Sequence, residues 1–165
     1  RDIFTIIPEF EPLPGRAVGL TPCQSSIVNF GISTFGLFFG MLGIRTSVAE
    51  KASRKLMQDM GVKTLNGLER SIKAIQDASG NVSKAKAVIA FLGKVKTALG
   101  LKAIWGAIKS SMKWYDWVTS GVAIIAQLTA FFATDGAAFV GEIVLVMITA
   151  VGWARALAAV THDCH

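Results

Sequence analysis

Histidines, cysteines and carboxylates brought close together are the usual material of catalysis and metal binding, and in this chain they meet only at the C-terminal end. The run His162-Asp163-Cys164-His165 holds both histidines of the sequence. Three of its residue types can ligate a metal, but adjacent ligands on one tail do not spread to the corners of a tetrahedron, and a cysteine held in a disulfide cannot ligate. A hydrolytic site needs its imidazole mounted in a cleft by a third group, and a chain terminus is a poor mount. The carboxylates Glu50, Asp59, Glu69 and Asp77 fall on charged amphipathic stretches and read as solvated. The phosphate-cradling order Gly-x-x-x-x-Gly-Lys-Ser/Thr does not occur. The expectation is a protein without metal, cofactor, small-molecule substrate or catalytic residues, and so not an enzyme.

The cysteines suggest a structural use instead. Cys23 and Cys164 sit near opposite ends of the 165 residues, and an even pair in a secreted chain is expected to form one disulfide. The chain opens Arg1-Asp2-Ile3 with no initiating methionine, which reads as a processed, secreted product. Asn81-Val82-Ser83 has the N-glycosylation pattern, used only in a eukaryotic secretory host.

Charge and hydropathy then point to a surface. Lys and Arg number 17 against 11 acidic residues, a net +6, while 52% of residues are hydrophobic and only 17% charged. Mean hydropathy is +0.51. The basic excess lies between residues 45 and 116, and the flanks are slightly acidic. A cationic middle between apolar flanks suits an anionic lipid surface, where each basic residue contributes about 1 kcal/mol. Nucleic acid is disfavoured, because the Lys-rich segment 84–113 has no arginine to make bidentate base contacts.

The elements that must carry this chemistry are helices in a single domain. Pro8, Pro12, Pro14 and Gly15 interrupt residues 1–20, which read as an extended strap laid over the body. Thr21-Pro22 opens an apolar helix over 22–43, with Thr21 as cap and Pro22 in the first helical position. Cationic amphipathic helices follow over 47–112. Ser47 and Glu50 have the spacing of a capping box, and Thr64 and Asn81 read as further caps. Leu65, Leu68, Ile72 and Ile75 share one helical face, and Val82, Ala85, Ile89, Leu92, Val95 and Leu99 form a second stripe. Nothing alternates as a strand would, so the fold class is all-α.

Residues 113–160 change character. Trp117 to Thr134 carries no charge and Gly136 to Ala154 carries one, Glu142. With Asp135 as cap after a Thr134-Asp135-Gly136 turn, the two arms read as a hydrophobic helical hairpin at the centre of the bundle. At about 1.5 Å per residue each arm is roughly 27 Å long, near the ~30 Å of a bilayer's hydrocarbon core. Trp114, Tyr115 and Trp117 at one open end and Trp153 at the other would sit together at the headgroup level. Phe131, Phe132 and Phe139 flank the tip that would cross.

A hydrophobic hairpin wrapped by Lys-rich amphipathic helices resembles the plan of α-helical pore-forming toxins such as the colicin pore-forming domains, over roughly residues 45–160. The segment Lys102-Ala103-Ile104-Trp105-Gly106-Ala107-Ile108-Lys109 is similar in texture to linear cationic antimicrobial peptides, and Ala138-Phe139-Val140-Gly141-Glu142-Ile143 also occurs in magainin. The resemblance implies a soluble bundle that opens on an anionic membrane. Lys84, Lys86, Lys94, Lys96, Lys102, Lys109 and Lys113 would dock on lipid, the hairpin would enter, and copies would assemble into a homo-oligomer there. A Cys23–Cys164 bridge would keep the secreted form closed until contact. The competing expectations are a secreted helical module that binds lipid or protein without lysis, and a constitutive small membrane protein.

Overall fold

Thr21 closes both halves of a cap. Its hydroxyl accepts the Gln24 backbone N–H at 3.1 Å, and the Gln24 side chain accepts the Thr21 N–H at 3.0 Å. These are the two reciprocal bonds of a capping box. Pro22 takes the first helical position, where its missing N–H costs nothing, and α1 runs Pro22–Met41. A computed structural model describes residues 20–164, so the strap expected over 1–20 lies outside the described residues save for Leu20.

Seven further helices follow: α2 (Thr46–Gln58), α3 (Val62–Asp77), α4 (Asn81–Leu99), α5 (Leu101–Ser110), α6 (Trp114–Ala133), α7 (Val140–Ile143) and α8 (Val151–Asp163). A 3-10 turn, Ala137–Phe139, precedes α7, and a π-helical turn, Val144–Ile148, follows it. The chain is an all-α single-domain bundle, with no strand among the described residues.

The centre of that bundle is α1. Phe30, Phe35, Phe38 and Phe39 are all fully buried, and side chains of that size contribute about 1.5–3 kcal/mol each when taken out of water. Phe30 meets Phe91 of α4 edge-on at 5.3 Å, and Phe38 meets Phe131 of α6 at 4.6 Å. α2 and α8 lie along α1, α3 packs on α4, and α5 packs on α2. The α1–α2 crossing is close because Gly31 has no side chain: a Cβ there would lie 2.6 Å from the Met57 sulfur. The α3 stripe is as expected, with Leu65, Leu68, Ile72 and Ile75 all buried. On α4 the stripe shifts, since Val82 is exposed while Val88 and Phe91 join Ala85, Leu92 and Val95 in the core.

Three caps differ from expectation. α2 begins at Thr46 after an extended Arg45, with no side-chain cap, so Ser47 and Glu50 form no box. Thr64 lies inside α3, which starts one residue after Gly61. Asn81 is the first residue of α4, because Gly80 takes the positive φ of 82° that ends the preceding loop and the helix starts directly after it. Glycine reaches that angle without the Cβ penalty other residues meet.

The hydrophobic hairpin is the larger correction. α6 exists and ends close to the expected turn, but it lies on the outside of the bundle, with 22% of its most apolar stretch buried. Its partner arm is not one helix. Residues 137–148 and 151–163 meet at 85° across Thr149-Ala150, because burying both Met147 and Trp153 against α1 requires the chain to turn. Trp153 therefore does not stand beside Trp114 and Trp117. It is 1% exposed, lies 5.6 Å from the Phe30 ring, and its indole N–H donates to the Thr34 hydroxyl at 3.0 Å.

Candidate functional site

The tail that carried the chemistry-bearing residues is held against the start of α1. Cys23 and Cys164 form a disulfide, with Cα atoms 4.6 Å apart. The Ser26 hydroxyl donates to Oδ2 of Asp163, whose Oδ1 faces His162 Nδ1 at 2.9 Å. The Ser26 hydrogen bond, then that of His162, hold the Asp163 carboxyl below the usual range. Serine, carboxylate and imidazole are thus neighbours in the wrong order for nucleophilic catalysis: the carboxylate sits where the imidazole would have to take the hydroxyl proton. Cys23, Glu69 and Cys164 also come within 4.8 Å of one another, but the two sulfurs are bonded to each other and leave no thiolate to ligate.

The lysines do not share a face. Lys84 and Lys86 point to opposite sides of α4, and so do Lys94 and Lys96, since two residues along a helix is a turn of about 200°. Lys84 donates to the Ile75 and Gln76 carbonyls at 3.1 and 3.4 Å, closing the C-terminal end of α3. It is a capping residue rather than a docking one. Lys86, Lys94 and Lys102 are exposed. Lys96 is half-buried, with its Nζ 6.0 Å from the Phe132 ring centroid.

The last two lysines belong to an aromatic cluster at the elbow between α5 and α6. Lys109 Nζ sits 4.9 Å from the Trp117 ring and Lys113 Nζ 5.8 Å from the Tyr115 ring. Trp105 on α5 packs on Trp117 at 4.7 Å, and Trp114 lies 6.0 Å from Tyr115. Trp105 was legible only as part of a cationic run. The signal for its role is its four-residue spacing from Lys109, which puts both on one side of α5.

From this elbow α6 presents an uncharged outer face. Trp114 is 77% exposed, Val118 68% and Val122 81%, with Ile125 following. The adjoining face, Gly121, Ile124, Leu128 and Phe131, is buried. The N-terminal end is fastened by Asp116, which pairs with Arg45 at 2.6 Å. Among the described residues α6 is the one unbroken helix long and apolar enough to cross a membrane.

At the other end of α6, the expected tip is not free. Gly136 has φ 70° and packs on α4: a Cβ there would lie 2.8 Å from the Ile89 side chain and 3.0 Å from Phe131. Asp135 caps nothing and stands exposed at φ 52°, a conformation aspartate tolerates better than most. Gly136→Ala is expected to cost about 1–3 kcal/mol through the positive φ and the overlap together. Thermal melting checks this, and an unchanged melting temperature would show the turn to be loosely held. Of the expected inserting residues, Phe131 is a core anchor and Phe132 and Phe139 are half-buried beside it. Glu142 is exposed in the first turn of α7, at the mouth of a small groove over Gly36 and Gly40.

The arrangement is a surface rather than an enclosed centre: an apolar helix flank about 20 residues long, rimmed at one end by three indoles, a phenol and two ammonium groups. Compared with protein-family models, with curated proteins and with solved structures, the chain matches none.

Proposed function

We propose that the protein is a secreted, membrane-active protein that docks on anionic lipid through the α5–α6 elbow and the outer face of α6, and then permeabilises the target membrane. The observation that carries this reading is the uncharged, solvent-facing side of α6 beginning at Trp114 and Tyr115. Exposed apolar patches rimmed by polar residues mark surfaces that meet a membrane or a partner, and indole and phenol rings beside lysine are what the headgroup region favours. Docking in this reading needs no prior opening of the bundle, because the helix that meets lipid already lies outside. The helix would first lie in the interface plane, apolar side down. The bent segment 137–163 would supply a second crossing only by straightening, which requires Trp153 to leave the core.

Dye release from vesicles tests the proposal. The wild-type protein is expected to empty phosphatidylglycerol-containing vesicles, less so at high salt, and to spare neutral ones. Val122→Lys adds a positive charge at a position exposed enough to leave the fold unchanged. It therefore strengthens simple electrostatic attraction while placing a cost of about 2.5–3.5 kcal/mol on burial at mid-bilayer. At least a tenfold higher concentration for equal leakage is expected. Leakage that rises in this variant, or that never occurs with any vesicle, would sink the proposal and leave α6 as the contact face for another protein.

A further inference from the structure

Between α4 and the C-terminal end of α6 lies a half-open cleft of about 450 Å³, within the size range of sites that hold small organic ligands. Its floor is one side of α4, formed by Ile89, Ala90 and Gly93, and its wall is Phe131 and Phe132. Lys86 and Lys96 stand at its two ends, about 15 Å apart along α4. Neither lysine is ion-paired among the described residues.

Gly93 makes the cleft. Its φ is not positive, so the backbone does not require glycine, and a glycine in a helix interior is destabilising relative to alanine. Nothing lies within 4 Å of where its Cβ would be, although the residue is half-buried. What the absent side chain leaves is open space at the floor.

An apolar floor and aromatic wall with a cation at each end are complementary to an anionic amphiphile. Asp135 on the same rim cancels one positive charge, which favours a singly charged head over a doubly charged one. We infer that this cleft binds one anionic phospholipid molecule whose headgroup carries a single net negative charge on its phosphodiester. Its phosphate lies against Lys96 and one of its acyl chains runs over Gly93 beside Phe131 and Phe132. The inference rests on the membrane reading for the source of the lipid, and it adds a specific site at the end of α6 opposite the tryptophans.

Calorimetric titration with phosphatidylglycerol bearing two six-carbon chains, kept below its micelle concentration, tests it on the intact protein. Saturable one-to-one binding is expected. Gly93→Leu, at a position with room for a side chain, should abolish it. Lys96→Gln should weaken it about fivefold, the effect of one basic residue near an anionic lipid, and Lys102→Gln, outside the cleft, should leave it unchanged. Equal affinity for phosphatidylcholine of the same chain length, equal affinity for inorganic phosphate, or full binding by Gly93→Leu would each overturn the inference. Vesicle leakage is scored separately. Leakage without short-chain binding removes the cleft and keeps the membrane reading, whereas binding without leakage does the reverse.

Discussion

Replacing Cys23 and Cys164 together by serine is expected to lower the unfolding free energy by about 5 kcal/mol. The bridge closes a loop spanning 141 residues, and the chain-entropy model assigns roughly this stabilisation to so long a loop, through the freedom it removes from the unfolded state. Domains are stable by about 5–15 kcal/mol in all, so the loss is a large share of the whole. With a urea dependence of about 2 kcal/mol per molar, the midpoint should fall by roughly 2.5 M, and reductant should reproduce the shift in the wild type. The bridge also anchors local structure, since the Ser26–Asp163 hydrogen bond lies beside it. A midpoint unchanged by reduction would mean that the unfolded chain already holds its ends together or that the α1–α8 packing stands alone.

Trp153→Ala carries the second large effect, about 3–5 kcal/mol for the cavity alone. Three consequences coincide at this residue. The indole fills space beside Phe30, its N–H is the partner of the buried Thr34 hydroxyl, and it holds α8 across the centre of the bundle. Trp153→Phe separates them: it keeps most of the volume and loses the hydrogen bond, with an expected cost of about 1–3 kcal/mol. For a chain of this length the alanine variant should melt about 10 °C lower. Near-equal melting of the alanine and phenylalanine variants would assign the stability to the hydrogen bond and not to the packing. The phenylalanine variant is useful for a further reason. Its remaining indoles, Trp105, Trp114 and Trp117, all lie at the α5–α6 elbow, so its fluorescence reports on the proposed lipid contact alone.

The helices were legible because their ends are chemically marked. Thr21-Pro22 starts α1 and Gly100, at φ 90°, separates α4 from α5. The four-residue face of α3 reads directly as its buried side. What periodicity could not rank was two apolar helices of equal length, one uncharged and one charged only at Asp116 in its first turn. α1 and α6 both have 20 residues, and length and hydropathy measure how apolar a helix is, not which one the others enclose. Side-chain volume decides it: α1 brings four phenylalanines that gain most from burial, whereas beyond Trp114 and Tyr115 the exposed side of α6 is mainly valine, isoleucine, alanine and threonine. The break at Thr149-Ala150 has no proline to announce it; it follows from where Met147 and Trp153 must go. The lysine pattern was misread for a simpler reason, since residues two apart on a helix face opposite ways. The elbow cluster depends on Trp105 and Trp117 meeting across a turn, a contact between helices that no spacing within one helix encodes.

The bridge near the two ends has a topological consequence. With residues 23 and 164 bonded, the backbone between them is a closed ring, and a closed ring passes through any plane an even number of times. In its oxidised form the ring cannot thread α6 across a bilayer as a lone span. Each crossing needs a return, and the segment available for it is the bent pair that now folds back over α1. Oxidised protein is thus limited to lying on the surface or to crossing in pairs.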